Sequence, residues 1–118
     1  MRRDITLKGA RGLLFYHKNP DNEATMTPDD LSIDFEEGGI LTTKQLDKVI
    51  LSKGAWTTIM FRYQDWDAAN EEYGEDKFTI RRYQKRNGEY NQRSKFNITN
   101  AKQARMIVET LNGWIGEE

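Results

Sequence analysis

The chain has 118 residues, no cysteine and a net charge of −1. This length suits one domain with its own core, and a 36% hydrophobic and 31% charged composition excludes a wholly disordered chain. The lack of cysteine excludes disulfides, thiol nucleophiles and cysteine-ligated metals, and fits a reducing compartment. No apolar run approaches the roughly eighteen residues of a membrane span, and no signal-peptide core follows the first residues. We therefore expect a cytoplasmic protein that does not engage the membrane.

Charge is distributed unevenly along the chain. Residues 19–47 contain eight acids and one base, whereas residues 77–105 contain nine bases and one acid. The acidic stretch repels polyanions, and the basic stretch is a candidate site for binding them. The alternative is that these cations only decorate a solvated sheet face.

Residues 1–48 are the part of the sequence whose role is least clear. Residues 5–16, which are rich in apolar side chains around two glycines, predict a strand or a hairpin, and residues 19–22 predict a turn. The acidic stretch that follows suits a solubilising appendage, a contact for a basic partner, or an internal mimic that competes for the cationic face.

Two short segments before residue 52 allow more than one structure. Thr27 followed by Pro28 and two aspartates predicts a short helix, with threonine as N-cap and proline at the first position. The alternation around Ile33 and Phe35 predicts a strand almost equally well. Residues 40–51 fit either a helix or a strand, and we favour a strand for their second half.

The signal for a sheet becomes strong after this point. Residues 56–63 are β-branched and aromatic without a breaker, which predicts a strand, and the polar residues 65–76 predict a loop. Residues 77–86 and 89–99 predict two further strands. The Asn-Gly pair at 87–88 between them is the strongest short hairpin signal, so the two strands are expected to pair antiparallel.

Successive side chains of a β-strand point to opposite faces of the sheet, and this alternation divides the residues of the two strands into two sets. The apolar face holds Phe78, Ile80, Phe96 and Ile98. The polar face holds Thr79, Arg81, Tyr83, Lys85, Arg93 and Lys95. We expect the apolar face to be covered and the polar face to be open to solvent, unless the N-terminal half or a second subunit covers it.

The last segment predicts an amphipathic helix that supplies this cover. Asn100 with Gln103 three residues later resembles a capping box, and Thr99 is the alternative N-cap. The apolar helical stripe that follows is formed by Ala104, Ile107, Val108, Leu111, Trp114 and Ile115. The predicted fold is therefore α+β: a twisted antiparallel sheet with a C-terminal helix packed on one face, in a single domain whose residues 49–118 form the sheet and helix.

The polar face suits single-stranded nucleic acid, which is bound by cations that track phosphates and by flat side chains on which bases stack. Arg81, Tyr83 and Lys85 lie on one strand, and Arg93 and Lys95 lie on the next. Arg62 and Met60 are expected to extend this face from the preceding strand. Tyr83 is equally well explained as a core residue, and Trp56 and Trp66 are either further stacking platforms or core residues. Arg82 and Arg86 share the phase of the apolar face, so each lies at the sheet margin or indicates a bulge.

A motif in the same strands is similar to a known family. Ile80-Arg81-Arg82-Tyr83, Gly88-Glu89 and Arg93-Ser94-Lys95, leading to Ile98-Thr99 and a helix, resemble the positive cofactor four family of single-stranded-DNA-binding transcriptional coactivators, above all its bacterial members. Leu51-Ser52 and Gly54 to Trp56 are also similar to that family, and the resemblance covers about residues 49–114. The glycine that this family carries after its lysine is replaced here, in Lys95-Phe96-Asn97.

The resemblance implies a curved sheet and a homodimer formed through the C-terminal helix. It implies nucleic-acid contacts for Arg81, Tyr83, Arg93 and Lys95, and also for Lys53 and Trp56. We expect a non-catalytic protein without cofactor or metal, because His17 is the single histidine and no nucleophile motif, phosphate loop or metal-ligand spacing is present. The predicted function is binding of single-stranded nucleic acid, DNA rather than RNA, in transcription, replication or repair. The alternative is a protein-interaction module.

Overall fold

The computed structural model of the protein describes residues 26–116. The strands are β1 (Phe35–Glu37), β2 (Ile40–Ser52), β3 (Trp56–Asp67), β4 (Glu72–Tyr73), β5 (Lys77–Arg86) and β6 (Glu89–Ile98), and the helix α1 is Ala101–Ile115. A single 3-10 turn, Pro28–Asp30, precedes them. None of the helices in this part of the chain has the length and apolar character needed to cross a membrane. The strand or hairpin expected at residues 5–16 and the turn expected at 19–22 lie outside the described residues.

The strands form one antiparallel sheet in the order β1-β2-β3-β5-β6, with β4 paired to the end of β3. Helix α1 follows β6 directly and packs against it. The predicted α+β class, an antiparallel sheet with one C-terminal helix, is confirmed.

The β5–β6 hairpin agrees closely with the sequence prediction. Asn87 and Gly88 both have positive φ, at 55° and 79°, as a two-residue hairpin turn requires. The predicted strand at 56–63 is also confirmed, but β3 continues to Asp67. The segment predicted as a loop at 65–76 therefore contains the end of β3 and the short strand β4, which pairs Tyr73 with Trp66.

The helix begins as predicted. Asn100 is its N-cap, and its side-chain Oδ1 accepts a hydrogen bond from the backbone N–H of Gln103 at 2.8 Å. The Gln103 side chain reaches back one residue further than a capping box requires, because its Oε1 accepts from the N–H of Thr99. The bond to Asn100 satisfies one of the donors that a helix start leaves without a partner, and the bond from Thr99 fixes the chain that leads into the helix.

The sheet has an inner face, defined by its buried side chains. Ile59, Phe61 and Tyr63 of β3 and Tyr83 of β5 form the core together with Leu31 and Ile33, which come from the segment before β1. This segment, residues 26–34, lies across the inner face and excludes water from it. Part of the N-terminal region of unclear role is therefore a cover for the core.

Polar contacts hold this covering segment in place. The ammonium of Lys48 donates to the carbonyl oxygens of Pro28, Asp29 and Leu31. Asp34 accepts from the backbone N–H of Gln45, whose side chain in turn accepts from the N–H of Ile33. Two residues of the acidic stretch, Asp30 and Asp34, thus accept hydrogen bonds from backbone N–H groups within the fold.

The assignment of the two faces is corrected by the strand register. Ile59 and Phe61 pair with Arg81 and Thr79, so the face predicted to be open to solvent is the one that carries the core. The opposite, outer face carries the set predicted to be covered. There Ile98 is buried, Phe78 and Ile80 are half-buried, and Phe96 is 53% exposed.

The helix keeps most of its apolar surface accessible. Only Ala104 and Ile107 are half-buried, and the other residues of α1 are exposed in the described chain. The exposed apolar side chains include Met106, Val108, Leu111, Trp114 and Ile115.

Candidate nucleic-acid interface

One end of the outer face carries an exposed aromatic ring surrounded by polar and cationic groups. Trp56 is 41% exposed, and the guanidinium of Arg82 lies over its ring, 4.5 Å from the ring centroid. Gln84 is paired directly with Trp56 across β3 and β5, so the two side chains share this face. We call Trp56, Arg82, Gln84 and Arg93 the outer-face cluster.

Arg93 joins this cluster because of a β-bulge. Arg82 pairs with Ser94, whereas the next residue of β5, Tyr83, pairs with Gln92, so Arg93 is the extra residue on β6. Its Nε donates to Oε1 of Gln84 at 3.1 Å. The bulge thus turns Arg93 away from the inner face, where alternation predicts it, and brings it beside Arg82.

The cluster is positively charged and accessible. Arg82 and Arg93 are both exposed, and neither forms an ion pair with a carboxylate within residues 26–116. Two guanidinium groups on one small surface repel each other, and a bound anion relieves that repulsion. Trp56 adds a flat apolar surface at the same place.

A second cationic surface lies on the inner face beyond the covering segment. Arg81 pairs directly with Lys95 across β5 and β6, and like charges in this position destabilise a sheet unless an anion is nearby. The Arg81 side chain is half-buried and is held by Gln92, whose Oε1 accepts from Nη1 at 2.9 Å. Lys85, on the same face, lies 5.7 Å from the ring centroid of Tyr90.

Tyr83 is a core residue. Its side chain is 5% exposed and packs in the cluster that includes Phe61 and Leu31. Burial raises the pKa of its hydroxyl to about 12. Its predicted use as a stacking platform is wrong for this structure, because no base can reach the ring.

Arg62 does not extend the inner-face cations as predicted. It pairs with Phe78 and therefore lies on the outer face. Its Nη1 is 3.0 Å from the carboxylate of Asp76, which also accepts from Gln64. The hydrogen bond from Gln64, and then that from Arg62, lowers the pKa of Asp76. The charge of Arg62 is thus already balanced.

Lys53 lies in the exposed turn between β2 and β3, three residues before Trp56. The same turn is tied to the end of β5, because the N–H of Lys85 donates to the carbonyl oxygen of Ala55 at 2.8 Å. Lys53 is therefore at the end of the sheet that carries Trp56. The residues predicted to bind nucleic acid at this end are therefore divided: Trp56 and Arg93 lie on the outer face, Lys85 lies on the inner face, and Lys53 lies in the turn.

Arg82 and Gln84 are the members of the cluster that sequence reasoning does not select. Strand alternation places Arg82 on the face predicted to be apolar, and a bulge is one of the two explanations for a cation at that position. The bulge exists, but its extra residue belongs to β6 rather than to the strand that carries Arg82. The two arginines share the outer face because the bulge changes the phase of Arg93.

The opposite end of the sheet is occupied by structural contacts. Trp66 and Tyr73 meet edge to face with ring centroids 5.0 Å apart, and both are half-buried. The acids near them are engaged locally: Asp65 accepts from Lys77 at 2.9 Å, and Asp67 accepts from the amide of Asn70 at 2.8 Å. Trp66 is therefore placed as a packing residue.

Comparison with known proteins identifies no relative. No protein-family model matches the chain, and neither a curated protein nor a solved structure matches it significantly.

Proposed function

We propose that this protein binds single-stranded nucleic acid, with DNA preferred to RNA, and performs no chemistry on it. The observation that carries the proposal is the exposed ring of Trp56 with Arg82 stacked on it and Arg93 alongside. An aromatic platform next to cations that form no ion pair within residues 26–116 suits single strands, which bind to cationic grooves with aromatic side chains. This is also the function that the resemblance to the positive cofactor four family implies. The proposed setting is transcription, replication or repair in the cytoplasm.

The inner-face cations support the same function. Arg81, Lys85 and Lys95 belong to the same hairpin as the outer-face cluster, with the edge strand β6 between the two surfaces. A single-stranded nucleic acid that passes over the edge formed by β6 meets cations on both faces of the sheet. We infer that Trp56 supplies the stacking energy and that the surrounding lysines and arginines supply the salt-dependent attraction.

The proposal includes a homodimer formed through α1. Leu111 and Trp114 lie three residues apart on one side of the helix, and Met106 lines the same surface. All three are exposed in the single chain. The opposite side of the helix is polar and carries Lys102, Arg105, Glu109 and Asn112. A helix with this pattern gains free energy by burying its apolar side against a second copy. A protein-interaction module is the alternative function that this exposed stripe supports.

The test is fluorescence anisotropy with a labelled oligo-dT of about twenty nucleotides, titrated at two salt concentrations beside a duplex of equal length. We expect micromolar or tighter binding of the single strand, weaker binding of the duplex, and weaker binding at the higher salt. Absence of single-strand binding at low salt would leave the protein-interaction module as the better explanation.

Two matched variants locate the site. Arg82→Ala is expected to weaken oligo-dT binding and to make the salt dependence shallower by about 0.7 log units per log of salt for each phosphate that the variant no longer neutralises. Arg62→Ala removes the same charge from the same face, but that charge is already balanced by Asp76. Its effect on affinity is expected to be less than about twofold.

A further inference from the structure

The hydrogen-bonding groups of the outer-face cluster have a defined polarity. The Nε of an arginine can only donate, so the Gln84 atom that faces Arg93 is its carbonyl oxygen. This orientation leaves the Gln84 amide group, with its two donors, on the other side. The one side-chain acceptor of the cluster, the Gln84 Oε1, therefore already accepts from Arg93.

The remaining free groups are all donors. Both η nitrogens of Arg93 and the guanidinium of Arg82 make no hydrogen bond to a protein acceptor within the described part of the chain. Arg93 is also restrained at Nε, which fixes the plane in which its η nitrogens point. The surface beside Trp56 thus presents two guanidinium groups, which can only donate hydrogen bonds.

The four DNA bases differ in whether they match such a surface. Guanine presents two neighbouring acceptors, N7 and O6, and arginine binds this pair in a bidentate manner. Adenine has an amino donor beside its N7 and N1 acceptors and no acceptor next to N3, and thymine has an N–H between its two carbonyls. Cytosine also has neighbouring acceptors, O2 and N3, but its single ring offers a smaller stacking area than a purine.

We propose that the outer-face cluster selects a guanine base in single-stranded DNA, with Arg93 reading N7 and O6 while the base stacks beside Trp56 and Arg82. This inference rests on the proposed function and adds the base that the site prefers. The purine ring offers a larger stacking area than a pyrimidine, and the arginine over Trp56 extends the platform.

The test compares oligo-dT of about twenty nucleotides with the same strand carrying one central dG, dA, dC or 7-deaza-dG. The 7-deaza base lacks the N7 acceptor but keeps the charge, size and stacking of guanine. We expect dG to increase affinity about fivefold or more over oligo-dT, and dA, dC and 7-deaza-dG to increase it less than about twofold.

The matched variants are Arg93→Lys and Arg86→Lys. Lysine keeps the positive charge but cannot form the bidentate fork, so Arg93→Lys is expected to reduce the dG preference to below about twofold. Arg86 lies on the same strand as Gln84 and outside the cluster. Arg86→Lys is expected to keep the preference. The readout is the ratio of the affinity for the dG-containing strand to that for oligo-dT within each variant. A loss of affinity common to both oligonucleotides does not change this ratio.

The outcomes separate the inference from the function on which it rests. Equal affinity for all five oligonucleotides would mean that Arg93 contacts phosphate only, and an equal gain from dG and 7-deaza-dG would mean that the gain comes from stacking and not from N7. In either case the guanine inference would be wrong while the proposed function stands. A preference for dA or dC would also overturn it. Absence of binding to every oligonucleotide at low salt would remove both.

Discussion

Lys48 and Leu31 are joined by a hydrogen bond of 2.6 Å from the lysine Nζ to the leucine carbonyl oxygen. The same ammonium also donates to the carbonyl oxygens of Pro28 and Asp29. Burial lowers the pKa of Lys48, although Asp29 and Asp30 oppose that change. The Lys48 side chain thus holds the segment that covers the core. Removing its ammonium group tests whether these bonds stabilise the covering segment.

Lys48→Met is expected to destabilise the protein by about 1–3 kcal/mol, because it leaves carbonyl groups at the covering segment without a partner. Urea unfolding monitored by tryptophan fluorescence measures the change. Lys53→Met, in the exposed turn before β3, is the matched control and is expected to change stability by less than about 0.5 kcal/mol. Equal effects of the two substitutions would mean that the bonds of Lys48 do not hold the segment.

The buried hydroxyl of Tyr83 predicts a loss of stability at high pH. Its pKa is raised to about 12 by burial, whereas an unfolded tyrosine ionises at about 10. Below pH 10 the hydroxyl is neutral in both states; between about pH 10 and 12 only the unfolded state ionises, so stability is lost as pH rises. The difference in unfolding free energy between the native protein and Tyr83→Phe should fall by about 2 kcal/mol over this range. Parallel stability curves would show that the hydroxyl ionises equally in both states.

The Asn100 side chain is expected to contribute about 1 kcal/mol to stability as the helix N-cap. Asn100→Ala removes the acceptor for the N–H of Gln103, 2.8 Å away. Denaturant unfolding followed by circular dichroism measures the loss. Asn112→Ala, on the polar side of the same helix, is expected to leave stability unchanged or slightly higher, because alanine favours the helix interior. A loss no larger than that of the control would contradict the capping role.

The apolar stripe of α1 predicts a dimer that one charge can disrupt. Leu111→Glu places a carboxylate in the proposed helix contact and is expected to weaken self-association at least about tenfold, since an unpaired charge is costly to bury. Sedimentation equilibrium measures this change. Asn112→Glu adds the same charge on the polar side and is expected to preserve the dimer. A native protein that is monomeric at high concentration would contradict the dimer without affecting the nucleic-acid site.

Local features of this protein could be predicted from residue types alone. The Asn87-Gly88 turn, strands β5 and β6, and the Asn100 cap depend on contacts between residues near each other in the chain. The physical reason is that positive φ, β-branching and side-chain capping act within a few residues. The covering segment could not be predicted in this way, because its leucine and isoleucine meet the core only through long-range packing.

The sequence by itself determined an antiparallel hairpin rich in arginine and lysine, followed by an amphipathic helix. Only the tertiary structure decided which side chains share a face. Alternation gives the phase within one strand, but the pairing of Ile59 with Arg81 depends on the register across β3 and β5. The extra residue Arg93 then changes the phase within β6, so that Arg93 contacts Gln84 on the face that carries Arg82 and Trp56. Register and bulges are set by the packing of whole strands, which is why Tyr83 lies in the core and Arg93 lies on the outer face.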